Sequence, residues 1–173
     1  DNGYDEIVAL GEGMLIAVLD AGFVGGKTVG INDGLDTIIT RNFVEGGSNV
    51  YQGSSHGFSV LSTMAAYQPE VFIGTAPQAS YALIKTEKEL SETPEEMMNW
   101  IAGAEFADSI GADIINSSLG YSTFDDPNDD YSVSDLDGRT SIISLGALAA
   151  ARTGMLVVTS AGNAGGSSWD KLT

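Results

Sequence analysis

Cysteine is absent from these 173 residues, so neither a disulfide framework nor a cysteine nucleophile is available. Basic residues are scarce: seven Lys and Arg stand against 24 Asp and Glu, for a formal net charge of −17. Nucleic acid and anionic membrane surfaces attract clustered Lys and Arg, so neither fits this chain as a partner. No apolar run reaches the length of a bilayer span, and no secretory leader is visible. Histidine occurs once, at position 56. What is present is enough apolar sequence (43%) for one sizeable core in one domain. The 22 glycines follow no period, so they mark turns rather than a repeat. Acidic residues gather at 87–96 and 125–137, both read as solvated loops with cation binding as the alternative.

Strand and helix signals alternate along the chain. Residues 14–20 (MLIAVLD) form a continuous apolar run ending in Asp-Ala-Gly, the pattern of a strand buried on both faces. Asp20 then stands at the strand's carboxyl end, where open α/β sheets place their chemistry. Residues 35–44 alternate well enough for a strand, 49–52 read as another at the edge, and 79–85 (ASYALIK) as a buried one. His56 opens a helix that Ser54 or Ser55 can cap, with Val60, Met64 and Tyr67 on one face and Leu61 and Ala65 beside it. Pro69 and Pro77 bracket a loop. Residues 91–112 read as a helix, with Thr93 as cap, Pro94 in first position and Glu95 and Glu96 at its positive end. Residues 112–117 and 155–160 are strands around an Ala-rich helix over 139–153. The expectation is an α/β, three-layer sandwich on a mostly parallel sheet.

Gly53-Ser54-Ser55-His56-Gly57 matches the G-x-S-x-G elbow of α/β-hydrolases. That fold takes its base from a distant later loop, whereas the sole histidine here is adjacent to Ser55, so the match is accidental. A different order remains: Asp20 at a strand end, His56 at a helix start, and a late turn, SAGNAG, over 160–165. With their flanks (IAVLDAG, HGFSVLSTMAA, GTAPQASYALIK, the stretch into IINSSLG, and TSAGNAG) these residues resemble the subtilisin-like serine proteases. Ala21 occupies a variable position of the aspartate block, and Phe58 replaces the usual Thr after His-Gly.

The resemblance implies roles. Asp20 would orient and stabilise the imidazole, His56 would be the general base, and Asn163 the side-chain donor to the tetrahedral oxyanion. Ser118, Leu119 and Gly120 would be the backbone edge that pairs with an extended peptide. It also implies a peptide or protein substrate, a secreted or cell-envelope setting, and no cofactor beyond structural calcium, for which Asp125, Asp126, Asn128, Asp129 and Asp130 offer oxygens without a defined spacing. The family's G-T-S-M-A-x-P serine segment has no match here. The chain is therefore expected to be an N-terminal portion of a peptidase domain, incomplete at its C-terminal side. Alone it would be inactive, and its open edge would seek the remaining part of the domain or a second copy. The alternative reading is an inactive relative that serves as a binding or scaffold module.

Overall fold

The structure, a computed structural model, describes residues 10–26 and 36–163. In chain order the elements are β1 (Leu15–Asp20), β2 (Asp36–Asn42), α1 (His56–Ala65), β3 (Tyr67–Gln68), β4 (Phe72–Ile73) and β5 (Ser80–Lys85). Then come α2 (Pro94–Ser109), β6 (Ile114–Ser117), a 3-10 turn at Val133–Asp135, α3 (Ile142–Arg152) and β7 (Leu156–Thr159). Five strands pair in parallel in the order β2-β5-β1-β6-β7, and β3 and β4 make a separate antiparallel hairpin. The α/β architecture and parallel sheet are those expected from the alternation of signals.

The two-residue period of a strand divides the core between two faces. Ala17 and Leu19 of β1 and Ala82 and Ile84 of β5 meet Met97, Trp100 and Ala104 of α2 and Ile143 of α3. Ile16 and Val18 of β1 and Tyr81 and Leu83 of β5 point the other way, onto Leu61 and Ala65 of α1. Each fully buried aliphatic side chain contributes about 1.5–3 kcal/mol relative to exposure, so β1 and β5, both closed on two faces, are firmly fixed in the sheet. The even-numbered residues of β1 face α1, and Asp20 continues that row.

The α1 helix differs from the expected face. Gly57, Leu61 and Ala65 are its buried row, whereas Tyr67 lies beyond the helix in β3 and is exposed. The i, i+4 row starting at Gly57 wins because only a glycine lets the helix end approach β1: a Cβ at 57 would stand 2.6 Å from the Gly22 carbonyl oxygen and 2.8 Å from the Asp20 Cβ. Ser55 is the N-cap but its hydroxyl makes no capping bond, while Ser54 Oγ accepts from the His56 backbone N–H at 3.1 Å.

Residues 49–52 form no strand. They close a loop in which the Val50 carbonyl accepts from Phe23 N–H at 2.9 Å, so their apolar member anchors the turn after β1 instead. The stretch between Pro69 and Pro77 holds half of the β3–β4 hairpin, and α3 begins three residues later than its Ala-rich pattern. Trp100 of α2 is 1% exposed and donates its Nε1–H to Ser117 Oγ at 2.9 Å.

Candidate active site

β1 lies between β5 and β6, so its carboxyl end opens where the chain's connections part to either side, the place where parallel sheets bind ligands. Asp20 is there and fully buried. Gly57 N–H donates to the Gly22 carbonyl at 3.0 Å and docks the start of α1 against the turn after β1. That contact sets the His56 ring over Asp20: His56 Nδ1 is 2.9 Å from both Oδ1 and Oδ2. Oδ1 also accepts from Ala21 N–H at 2.7 Å. An ionised carboxylate only accepts hydrogen bonds, so Nδ1 carries the proton in this pair and the Nε2 lone pair is left for another partner. Burial pushes the Asp20 carboxyl above its ordinary range, and the hydrogen bond and charge of His56 pull against that shift. The His56 side chain is itself 49% exposed. One partner of the pair is held by the core while the other reaches solvent.

A cleft of about 290 Å³ contains His56. Ala21 and Ser54 line it beside the histidine, Ser118, Leu119 and Gly120 form another wall, and residues 87–89 and Glu92 a third. Ser118–Gly120 leave β6 directly, and Leu119 also lines an apolar cavity of about 210 Å³ with Trp100, Tyr121, Ile143, Ala147 and Thr159. Beyond β7, Ser160 N–H donates to the Ser117 carbonyl at 3.0 Å and Ser160 Oγ to the Leu119 carbonyl at 3.3 Å. The turn carrying Asn163 therefore starts beside the Ser118–Gly120 edge, and Asn163 is exposed at the end of the described residues.

The subtilase family matches residues 11–172. The chain belongs to the subtilase family. Members of that family are serine proteases. Among curated proteins, subtilisin BL of Lederbergia lenta is 29% identical over 160 residues, covering 91% of this chain and 51% of the relative. Among solved structures, the MycP3 protease of the type VII (ESX-3) secretion system superposes with a TM-score of 0.66 at 23% identity, covering 90% of this chain and 42% of that one. The protease domain of PatA gives 0.65 at 21%, with 92% and 54% covered, and MycP1 from Mycobacterium smegmatis 0.63 at 21%, with 91% and 42%. At these identities the superpositions speak for the subtilase fold alone. The chain spans about half the length of these relatives. No helix among the described residues is long and apolar enough to cross a membrane.

Within this subtilase framework the structure brings His56, backed by the buried Asp20, and the 118–120 edge to one cleft, with the Asn163 turn adjoining through the β6–β7 pairing. Reading 87–96 as a solvated loop overlooks two buried carboxylates. Glu87 is 6% exposed and its Oε1 accepts from the Tyr121 hydroxyl; Glu96 is fully buried, with Oε1 on Lys88 N–H and Oε2 on Thr93 N–H, both at 3.0 Å. No local pattern marks their burial: β5 ends at Lys85, and Glu87 meets Tyr121 of the α2–α3 core and Glu96 of α2 only once the chain is folded. Burial raises the Glu87 carboxyl to about 8. The carboxylates of Glu87, Glu92 and Glu96 lie within 4.8 Å of one another. At the run proposed for calcium, Asp126 Oδ1 accepts from Asn128, and Asp130 Oδ1 from Phe124 N–H at 2.7 Å.

Proposed function

We propose that this chain supplies the general base, its orienting carboxylate and an oxyanion donor to a serine endopeptidase. The observation that carries the reading is the buried Asp20 bonded to the Nδ1 of a half-exposed His56 at the carboxyl end of the central strand. In this reading the attacking serine lies outside these 173 residues. His56 Nε2 takes the serine proton as the hydroxyl oxygen attacks the peptide carbonyl, and the imidazolium so formed is stabilised by Asp20. The Asn163 amide donates to the oxyanion of the tetrahedral intermediate. His56 then returns the proton to the leaving amine, and a second cycle with water releases the acyl group. Ser118, Leu119 and Gly120 offer main-chain groups to an extended substrate, so backbone pairing supplies grip and the flanking cavities supply selectivity.

The test is covalent labelling of the full-length protein by a fluorophosphonate, paired with hydrolysis of a quenched peptide. His56→Ala is expected to abolish labelling. Asp20→Asn should lower kcat about 10⁴-fold, because the amide fixes the wrong imidazole tautomer, and Asn163→Ala about 10²–10³-fold. A folded full-length protein that takes no label and cleaves no peptide would decide instead for the scaffold role.

A further inference from the structure

We propose that the cleft beside His56 selects substrates with a lysine or arginine side chain, held against the wall formed by Glu87 and Glu92. This deepens the peptidase reading and rests on it. Three features point the same way. Glu87 is buried to all but 6% and yet lines the cavity that contains His56 and the 118–120 edge, so its open side faces the space a bound peptide would occupy. Its Oε1 is taken by the Tyr121 hydroxyl, while Oε2 has no hydrogen-bond partner among the described residues. Burial favours the protonated form of a carboxyl held this way, and an entering cation draws it into the ionised form by supplying the missing counter-charge.

The neighbouring cations are already committed elsewhere. Lys88 Nζ lies 2.6 Å from Glu95 Oε2, and Lys85 Nζ lies 2.9 Å from Glu45 Oε1. The third nearby carboxylate, Glu96, has both oxygens on backbone N–H groups, so it adds negative potential without offering a ligand atom. That leaves two available carboxylates, too few for a divalent cation without further donors and well suited to one ammonium or guanidinium group. The wall is also built to stay in place. Besides the Tyr121–Glu87 bond, Asp125 N–H donates to the Glu92 carbonyl at 2.9 Å and Glu92 N–H to Asp125 Oδ2 at 3.3 Å. These contacts tie the acidic wall to the chain that follows the 118–120 edge, so the two sides of the cleft hold a fixed spacing. A pre-set spacing turns the charge into selectivity.

The experiment uses the full-length protein and a quenched peptide set in which each position near the cleaved bond is varied through Lys, Arg, Gln, Leu and Glu. At one position Lys and Arg are expected to exceed Gln in kcat/KM by roughly 10–100-fold, mainly through KM. Glu87→Gln, which keeps an acceptor for Tyr121, should shrink that ratio, and Glu92→Lys, at an exposed position, should turn it toward Glu. Cleavage that is indifferent to charge, or a basic preference that survives both substitutions, would overturn the assignment and leave the peptidase reading intact. Absence of both cleavage and fluorophosphonate labelling would overturn the peptidase reading and this inference together.

Discussion

Two acidic stretches look alike in sequence and behave oppositely in the fold. Over 87–96, Glu87 and Glu96 are buried and burial drives the Glu87 and Glu92 carboxyls upward. Over 125–137 the aspartates sit mostly at the surface, and Asp135 and Asp137 are held below their ordinary range by hydrogen bonds from Ser132 and from Arg139 and Thr140. The difference comes from what precedes each stretch. The first follows directly on β5, the neighbour of β1, so the backbone carries it past the carboxyl end of the sheet and along the cleft. The second lies beyond the 118–120 edge, well past the end of β6, and turns through Asx-type loops that bond their own backbone, as Asp137 Oδ1 does with Arg139 and Thr140 N–H at 2.8 Å each. Charge pattern reports what a segment carries; the element it follows and the partners it meets decide where it goes.

The sharpest way to break this contrast is to delete one carboxylate from each stretch. Glu96→Ala strips two part-buried backbone N–H groups, those of Lys88 and Thr93, of their acceptor at the start of α2. It should cost about 2–3 kcal/mol in urea denaturation. Asp129→Ala, in the exposed loop, should stay within about 0.5 kcal/mol. Equal costs would mean that the two stretches are energetically alike, and the contrast would fall.

The same contrast marks how far the sequence could be read. The strands of the parallel sheet, the α2 start at Thr93-Pro94 and the Asp20–His56 pair were legible, because each rests on local pattern or on a motif whose spacing carries geometry. Tyr67 lies outside the helix its spacing suggests and residues 49–52 form no strand, since a helix face and an edge pairing depend on what the chain meets in space. Gly57 shows the point: its smallness has meaning only once Asp20 and Gly22 stand against it. Glu87 and Tyr121 were invisible for the same reason, being 34 residues apart and joined only by the parallel placement of β5 and β6 around β1.

A subtler separation comes from pH. Glu87 has its folded value raised from 4.5 to about 8, so between those limits the native chain holds a proton that the unfolded chain has released. Stability from this group is full below about 4.5 and falls as pH rises toward 8, by at most about 1.4 kcal/mol per pH unit. Glu87→Gln carries no titrating proton, so its denaturation midpoint should decline less over that window and overtake the wild type at its alkaline end. Parallel profiles for the two proteins would show that Glu87 is solvated like the aspartates of the other stretch.

Asp137 should give the smallest effect and the opposite sign. Its folded value is lowered because the ionised form accepts the Arg139 and Thr140 N–H groups, so its contribution is present above the ordinary Asp range and fades as pH falls through the folded value, below 3.8. Asp137→Asn keeps an acceptor oxygen but loses the charge that strengthens it. The variant should therefore melt slightly below the wild type at pH 7, with the gap closing as the solution is acidified toward pH 2. A gap that instead widened with acid would place Asp137 in the desolvated class, and the opposition between the two stretches would reduce to a difference in exposure without a difference in sign.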